Sequence, residues 1–180
     1  MIPQKFFFTK GTGVAREQLS AYEWALRDAG IAQFNLVSVS SILPPGCKKI
    51  SRDKGVAVLK PGEVVFCVMA RNETNEPNRL IGASVGCAIP VGNKRYGYLS
   101  EHHCFGETEE KAGDYAEDLA ASMLASTLGM KFNPDDAWDT RKQAYKLSGK
   151  IVYTFNSTQT TRGNKDGLWT SVVAAVVFVP

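Results

Sequence analysis

Apolar residues along this chain fall mostly into short alternating or continuous runs, broken in two places by longer helical periodicity. Residues 5–9 read as a first strand, and Gly11-Thr12-Gly13 is expected to end it. That glycine pair lacks the further Gly and the Lys-Ser/Thr of a phosphate loop, so it reads as a turn. Over residues 16–29, Leu19, Tyr22, Leu26 and Ala29 recur at three- and four-residue spacing. This predicts a helix with that face inward, stopped by Gly30. Phe34, Leu36 and Ser38 then alternate with Asn35, Val37 and Val39, a strand running into Ser40-Ser41 and the rigid Pro44-Pro45-Gly46.

Further strands are expected at 56–59 (a short one), 63–70, 80–90, 95–102, 150–158 and 168–179, with polar connections at 71–78 and 159–167. Thr108 is a good N-cap for a second helix. Glu109 and Glu110 lie in its first turn, and Ala112, Tyr115, Ala116, Leu119, Ala120, Met123, Leu124 and Leu128 form its inward stripe up to Gly129. Residues 133–143 read as loop or a short helical turn. Strands outnumber helices, so the predicted fold is α+β: a layered αββα-type sandwich of mostly antiparallel strands with two long covering helices. At 180 residues the chain is expected to form one domain, 1–180.

Composition narrows the classes. With 44% apolar and 22% charged residues the chain can build a core and is not disordered. A net charge of +3 with no Lys/Arg run longer than two gives little support for nucleic-acid binding. The longest apolar run, 172–179, is far short of the roughly 20 residues needed to span a membrane. Phe6-Phe7-Phe8 is too short for a signal segment. Cys47, Cys67, Cys87 and Cys104 include no C-x-x-C pair, which points to reduced thiols in a cytoplasmic protein rather than a disulfide framework or a zinc site.

Candidate chemistry is sparse. Glu23 sits beside the apolar stripe of the first helix, where a carboxylate is costly unless paired. It is either bonded to Arg27 four residues on, or a carboxylate awaiting a cationic ligand. Glu101 closes the 95–102 strand. Ser84, among glycines and alanines, could line a pocket. His102 and His103 point to opposite faces of a strand and do not share one metal.

The Ser40-Ser41 pair alone is most often a plain strand terminus, yet it permits an unusual reaction. The hydroxyl of Ser41 can attack the carbonyl of Ser40 and turn the amide into an ester, provided the bond is strained and donors stabilise the oxyanion. β-Elimination then makes residue 41 dehydroalanine, which tautomerises and hydrolyses to a pyruvoyl group. Such a ketone forms a Schiff base with an amine and acts as an electron sink for decarboxylation, the task pyridoxal phosphate performs elsewhere.

Ala29-Gly30-Ile31, Asn35-Leu36 and Ser40-Ser41-Ile42-Leu43-Pro44-Pro45 together resemble the processing region of pyruvoyl-dependent arginine decarboxylases. The likeness continues through Ala88-Ile89-Pro90, Gly97-Tyr98-Leu99-Ser100-Glu101 and the helix opened by Thr108, so it covers most of the chain. It implies cleavage between Ser40 and Ser41, leaving a β chain (1–40) and an α chain (41–180) with a pyruvoyl N-terminus made from Ser41. No metal and no pyridoxal phosphate are expected. By the same resemblance, Asn35 is the asparagine that bonds the reacting centre. Glu101 is the carboxylic acid that returns a proton after CO₂ leaves, with a pKa raised by a desolvated pocket. Leu19 and Glu23 bind the side chain of L-arginine. The family carries Asp where this chain has Glu23, which bears on the length of the preferred amine. The stretch after Gly46 and the 159–167 loop also depart from it. A homotrimer or hexamer with sites shared between subunits is implied, as is agmatine as the product, feeding polyamine synthesis or acid resistance.

Two other readings stand beside it: a self-cleaving amidohydrolase that uses Ser41 as an N-terminal nucleophile, and an uncleaved small-molecule-binding oligomer. Asn35, Glu23 and Glu101 together favour the decarboxylase, since a hydrolase has no evident use for a carboxylate beside the first helix's stripe.

Overall fold

A computed structural model describes residues 2–92, 94–131, 133 and 135–180. Its organising strand is β9 (Trp169–Val179), rich in valine and paired on both edges. On one side β1 (Lys5–Ala15) runs antiparallel to it, from Lys5 opposite Val179 to Ala15 opposite Trp169. On the other lies β5 (Val64–Thr74), also antiparallel. The four-residue β2 (Asn35–Ser38) adds to β5 in parallel, and β4 (Lys48–Lys49) adds to β1 in parallel. In the second sheet β6 (Leu80–Pro90) lies between β7 (Gly97–Phe105) and β8 (Ile151–Arg162), with the two-residue β3 (Ile42–Leu43) on the far side of β7.

Alternation sorts the β9 side chains into two cores. Val172, Ala174, Val176 and Phe178 pack across the sheet interface against Ile81, Ala83, Val85 and Cys87 of β6. Val173, Ala175 and Val177 face α1 (Gln18–Asp28), meeting Ala25, Leu26 and Ala29. The outer face of the second sheet is covered by α3 (Glu109–Thr127) through Ala120, Ala121, Leu124 and Ala125. The order of layers is therefore α, β, β, α, as the pattern predicts. A valine so buried contributes roughly 1.5–3 kcal/mol.

Several expectations are corrected. Gly11-Thr12-Gly13 does not end the first strand, which continues to Ala15. A Cβ on Gly13 would collide with the backbone of Ala21 and Ala25, so the glycines form a notch in which α1 lies close to the sheet. The inward face of α1 consequently carries Ala21, Ala25, Leu26 and Ala29, while Leu19 is 75% exposed. The same inversion marks α3: Ala112, Ala116, Ala120 and Leu124 face inward as expected, but Tyr115 and Leu119 are exposed. Of the two long helices expected, α3 has 19 residues and α1 only 11. Residues 56–59 form no strand; Val56 closes the short helix α2 (Arg52–Val56).

Strands β5 and β8 run on through polar sequence to Thr74 and Arg162, because ladder pairing requires backbone rather than apolar side chains. The 133–143 segment becomes α4 (Trp138–Leu147), with Pro134 outside the described residues. Tyr145 anchors it in the core, packed with Ala121, Leu124 and Ile151, and two ion pairs add to this: Lys142 Nζ lies 2.8 Å from Glu117 Oε1, and Arg141 pairs with Asp118. Glu117 is buried on the inward face of α3, and its other oxygen accepts from Asn156 Nδ2 at 3.0 Å. Ser84 is fully buried, its hydroxyl bonded to Thr158 Oγ1 at 2.7 Å.

Candidate active site

Residues 39–41 are the bridge by which the chain leaves one sheet and joins the other. In the first sheet the Val39 N–H donates to the Cys67 carbonyl at 3.0 Å, the last bond of the β2–β5 register. In the second, the Leu99 N–H donates to the Ser41 carbonyl at 2.9 Å, just before Ile42 and Leu43 pair with Tyr98 and Gly97. Leu43 is buried between the sheets and fixes the far end.

The peptide between Ser40 and Ser41 is thus held across the rim by an anchor on each side. Between the anchors the Ile42 N–H donates to the Ser40 carbonyl at 2.8 Å. That bond closes a γ-turn centred on Ser41, and the absence of a positive φ there makes it the inverse type. Sequence reasoning finds the hydroxyl but not this backbone donor. A carbonyl already accepting such a bond is polarised, and the bond strengthens as negative charge builds on its oxygen. Ser40 is exposed and Ser41 half-buried, beside a cleft of about 320 Å³ lined by Pro3, Val39, Ile42, Pro44, Phe66 and Phe178.

Glu101 lies two residues beyond Leu99 on the same face of β7, about 7 Å along the strand from the residue bonded to Ser41. The strand continues past it to Phe105, so Glu101 does not end a strand. Its charge reaches the Cys67 thiol, whose pKa is pushed up to about 11, mainly by burial and further by Glu101. Glu101 itself is exposed, so its own chain does not supply the dry surroundings that proton donation at neutral pH needs.

Asn35 is not at the Ser40 carbonyl. It opens β2, five residues and about 16 Å of extended chain from Ser40, and its Nδ2 donates to the Gly62 carbonyl at 2.7 Å. Leu19 and Glu23 lie on the outer side of α1, in an open groove of about 500 Å³ that also includes Ser20, Tyr22, Trp24 and Arg27. Glu23 Oε1 accepts from Arg27 Nε at 3.0 Å, the intrahelical pair that its position allowed. It already holds a guanidinium, but exposed pairs of this spacing are worth only about 0.3–0.5 kcal/mol. Arg71 stacks on the Tyr22 ring at 3.6 Å, tying the middle of the helix to β5. Among the described residues no hydrogen bond or ion pair joins Leu19, Glu23 or Asn35 to Ser40, Ser41 or Glu101. All four cysteines are free and buried.

Comparison with known proteins places this fold among pyruvoyl-dependent enzymes. The family model described as pyruvoyl-dependent arginine decarboxylase matches residues 5–180. Pyruvoyl-dependent arginine decarboxylase 2 of Methanosarcina mazei is 60% identical over 179 residues, covering 99% of this chain and 98% of that protein. A probable pyruvoyl-dependent arginine decarboxylase of Chloroherpeton thalassium is 59% identical over the same shares. The pyruvoyl-dependent arginine decarboxylase of Methanococcoides burtonii is 56% identical over 99% of each chain. The chain belongs to the pyruvoyl-dependent arginine decarboxylase family, whose cofactor is a pyruvoyl group covalently part of the protein. The rim fits such a group. Built from the atoms of one serine residue, it needs no added cavity, and the apolar lining of Val39, Ile42, Pro44 and Phe66 suits a small ketone.

Proposed function

We propose that this chain cuts itself between Ser40 and Ser41 and then converts L-arginine to agmatine and CO₂. The observation that carries the processing step is the clamped peptide: two sheets hold its ends, and the Ile42 N–H already bonds the carbonyl to be attacked. Ser41 Oγ adds to the Ser40 carbonyl carbon, and the C–N bond breaks to give an ester and a free amine on residue 41. Loss of the Ser41 Cα proton expels the ester as the Ser40 carboxylate. The resulting dehydroalanine becomes an imine, and water replaces its nitrogen, releasing ammonia. Residues 1–40 and 41–180 are then separate chains of one folded domain.

The pyruvoyl carbonyl supplies the electron sink for the charge left as CO₂ departs. Glu23 takes the substrate guanidinium in a two-bond pair, displacing Arg27, while Leu19 packs on its methylenes. Glu101 delivers the proton from its carboxyl to the substrate Cα. Asn35, five residues before its own Ser40 and bonded instead to the Gly62 carbonyl, acts on the centre of a neighbouring subunit, as do Leu19 and Glu23. A trimer, alone or paired into a hexamer, meets that requirement. Three observations support shared sites: the exposure of Glu101, the absence among the described residues of any bond from Leu19 or Glu23 to Ser40, Ser41 or Glu101, and the exposed Val37, Val64 and Phe66 on β2 and β5. Four reduced thiols fit a cytoplasmic location, and no helix among the described residues is long and apolar enough to cross a membrane.

Mass spectrometry of the purified protein tests the reading. Two fragments are expected, the larger beginning with a pyruvoyl group that arginine and borohydride convert to a trapped adduct. A single unbroken chain, or a free amino-terminal serine as in an amidohydrolase, overturns it.

A further inference from the structure

We infer that His102, Cys104 and Glu107 form a binding site for a thiophilic divalent cation, zinc foremost, at the joint between β7 and α3. The site lies apart from the rim chemistry and does not rest on the proposed function. His102 and Cys104 are two residues apart, so both project from β7 toward α3, while His103 projects the other way. The chain then turns at Gly106, whose φ of +75° is open to glycine, and Glu107 comes back over the pair just before the Thr108 cap. Glu107 Oε2 lies 3.1 Å from His102 Nε2. The donor atoms of the three residues all lie within 4.8 Å of one another.

The surroundings favour this convergence. Gly82 pairs with Cys104 across the β6–β7 ladder, and a Cβ there would stand 2.8 Å from Cys104 Sγ, so the thiol sits in a space a larger residue would fill. The Tyr115 ring packs 4.5 Å from the His102 ring and holds the imidazole toward Glu107. His102 and Glu107 are partly exposed, which leaves a way in for an ion and one position for water.

Donor chemistry selects the metal. Zinc takes nitrogen, sulfur and carboxylate oxygen at about 2.0–2.3 Å, which puts the donors about 3.2–3.8 Å apart. The present outer limit of 4.8 Å exceeds that spacing by about 1 Å, a gap that binding closes by side-chain rotation. One thiolate and one imidazole favour zinc over magnesium or calcium, which prefer oxygen shells. Binding sends the thiol proton to solvent and moves the imidazole proton to Nδ1, freeing Nε2 for the ion. The bound ion ties the end of β7, one residue from Glu101, to the start of α3.

The test uses the purified full protein, stripped with chelator, then given one equivalent of Co²⁺ or Zn²⁺. Wild type is expected to show a thiolate-to-cobalt absorption band and to keep about one zinc per chain through desalting, with Mg²⁺ not retained. Cys104→Ser loses the band, Glu107→Gln loses zinc retention, and His103→Asn keeps both. Glu107 lies outside the sheet, so the second variant reads the site even where the first fails to fold. Absence of the band in wild type, an equal band in Cys104→Ser, or unchanged retention in Glu107→Gln overturns the proposal.

Discussion

The middle of the first sheet and its rim are built from the same chain by opposite rules. At the middle, β9 has a hydrogen-bonded partner on each edge and a packed layer on each face, and Val172–Val179 are all buried. At the rim, β2 has four residues and β3 two, and between them a serine pair passes from sheet to sheet with one side open. The middle is complete within one chain. The rim is tied down in its backbone by hydrogen bonds on each side and unfinished in its side chains, with Glu101 exposed and Asn35 turned to Gly62. The proposed chemistry is therefore housed apart from the packed core, and a change in one should leave the other largely intact.

The sharpest break is Ser41→Ala. With no hydroxyl to begin the acyl shift, a denaturing gel should show one full-length band and assays no decarboxylation, while thermal unfolding stays near wild type. Two bands would refute the role of Ser41. Next is Glu101→Gln, which should be cleaved normally yet turn over about 10² times more slowly or worse; near-normal turnover removes Glu101 from the site. Gly13→Ala tests the middle. Its methyl meets the α1 backbone, so unfolding should cost about 2 kcal/mol less, lowering Tm by about 4–8 °C, with cleavage intact. An unchanged Tm would mean the notch between β1 and α1 is not close packed. The smallest effect concerns Glu23→Gln, expected to raise KM for arginine about tenfold with kcat little changed. Wild-type KM would leave the α1 groove without a substrate role.

How much of this was legible from sequence follows the same division. The bounds of β6, the extent of β9 and the cap of α3 were readable because local signals decide them: β-branched runs, and Thr108 with acids behind it. Which way the helices face was not. Leu19, Tyr115 and Leu119 look inward by hydrophobicity, but α1 and α3 sit so close to their sheets that alanines take those positions. Helix α4 is hard to read because its sequence is mostly polar and its anchors, the buried Tyr145 and the ion pairs to Glu117 and Asp118, find their partners about two dozen residues away on α3. At the rim, Ser40, Ser41 and Glu101 are readable from sequence as candidates. The Ile42 N–H could not, since every residue but proline has one and only the turn aims it.

The ladder between β1 and β9 has one more consequence. The regular elements before residue 41 are β1, α1 and β2, and the eleven residues of β1 are zipped along their whole length to the strand at the other end of the chain. A nick at the rim would therefore leave two interlocked polypeptides that part only on global unfolding. The same ladder brings the chain ends together, with the Gln4 N–H bonded to the Val179 carbonyl at 3.2 Å. A circular permutant that begins at Ser41, crosses from 180 to 1 through a short linker and stops at Ser40 should thus reach the same architecture without ever having to sever a bond.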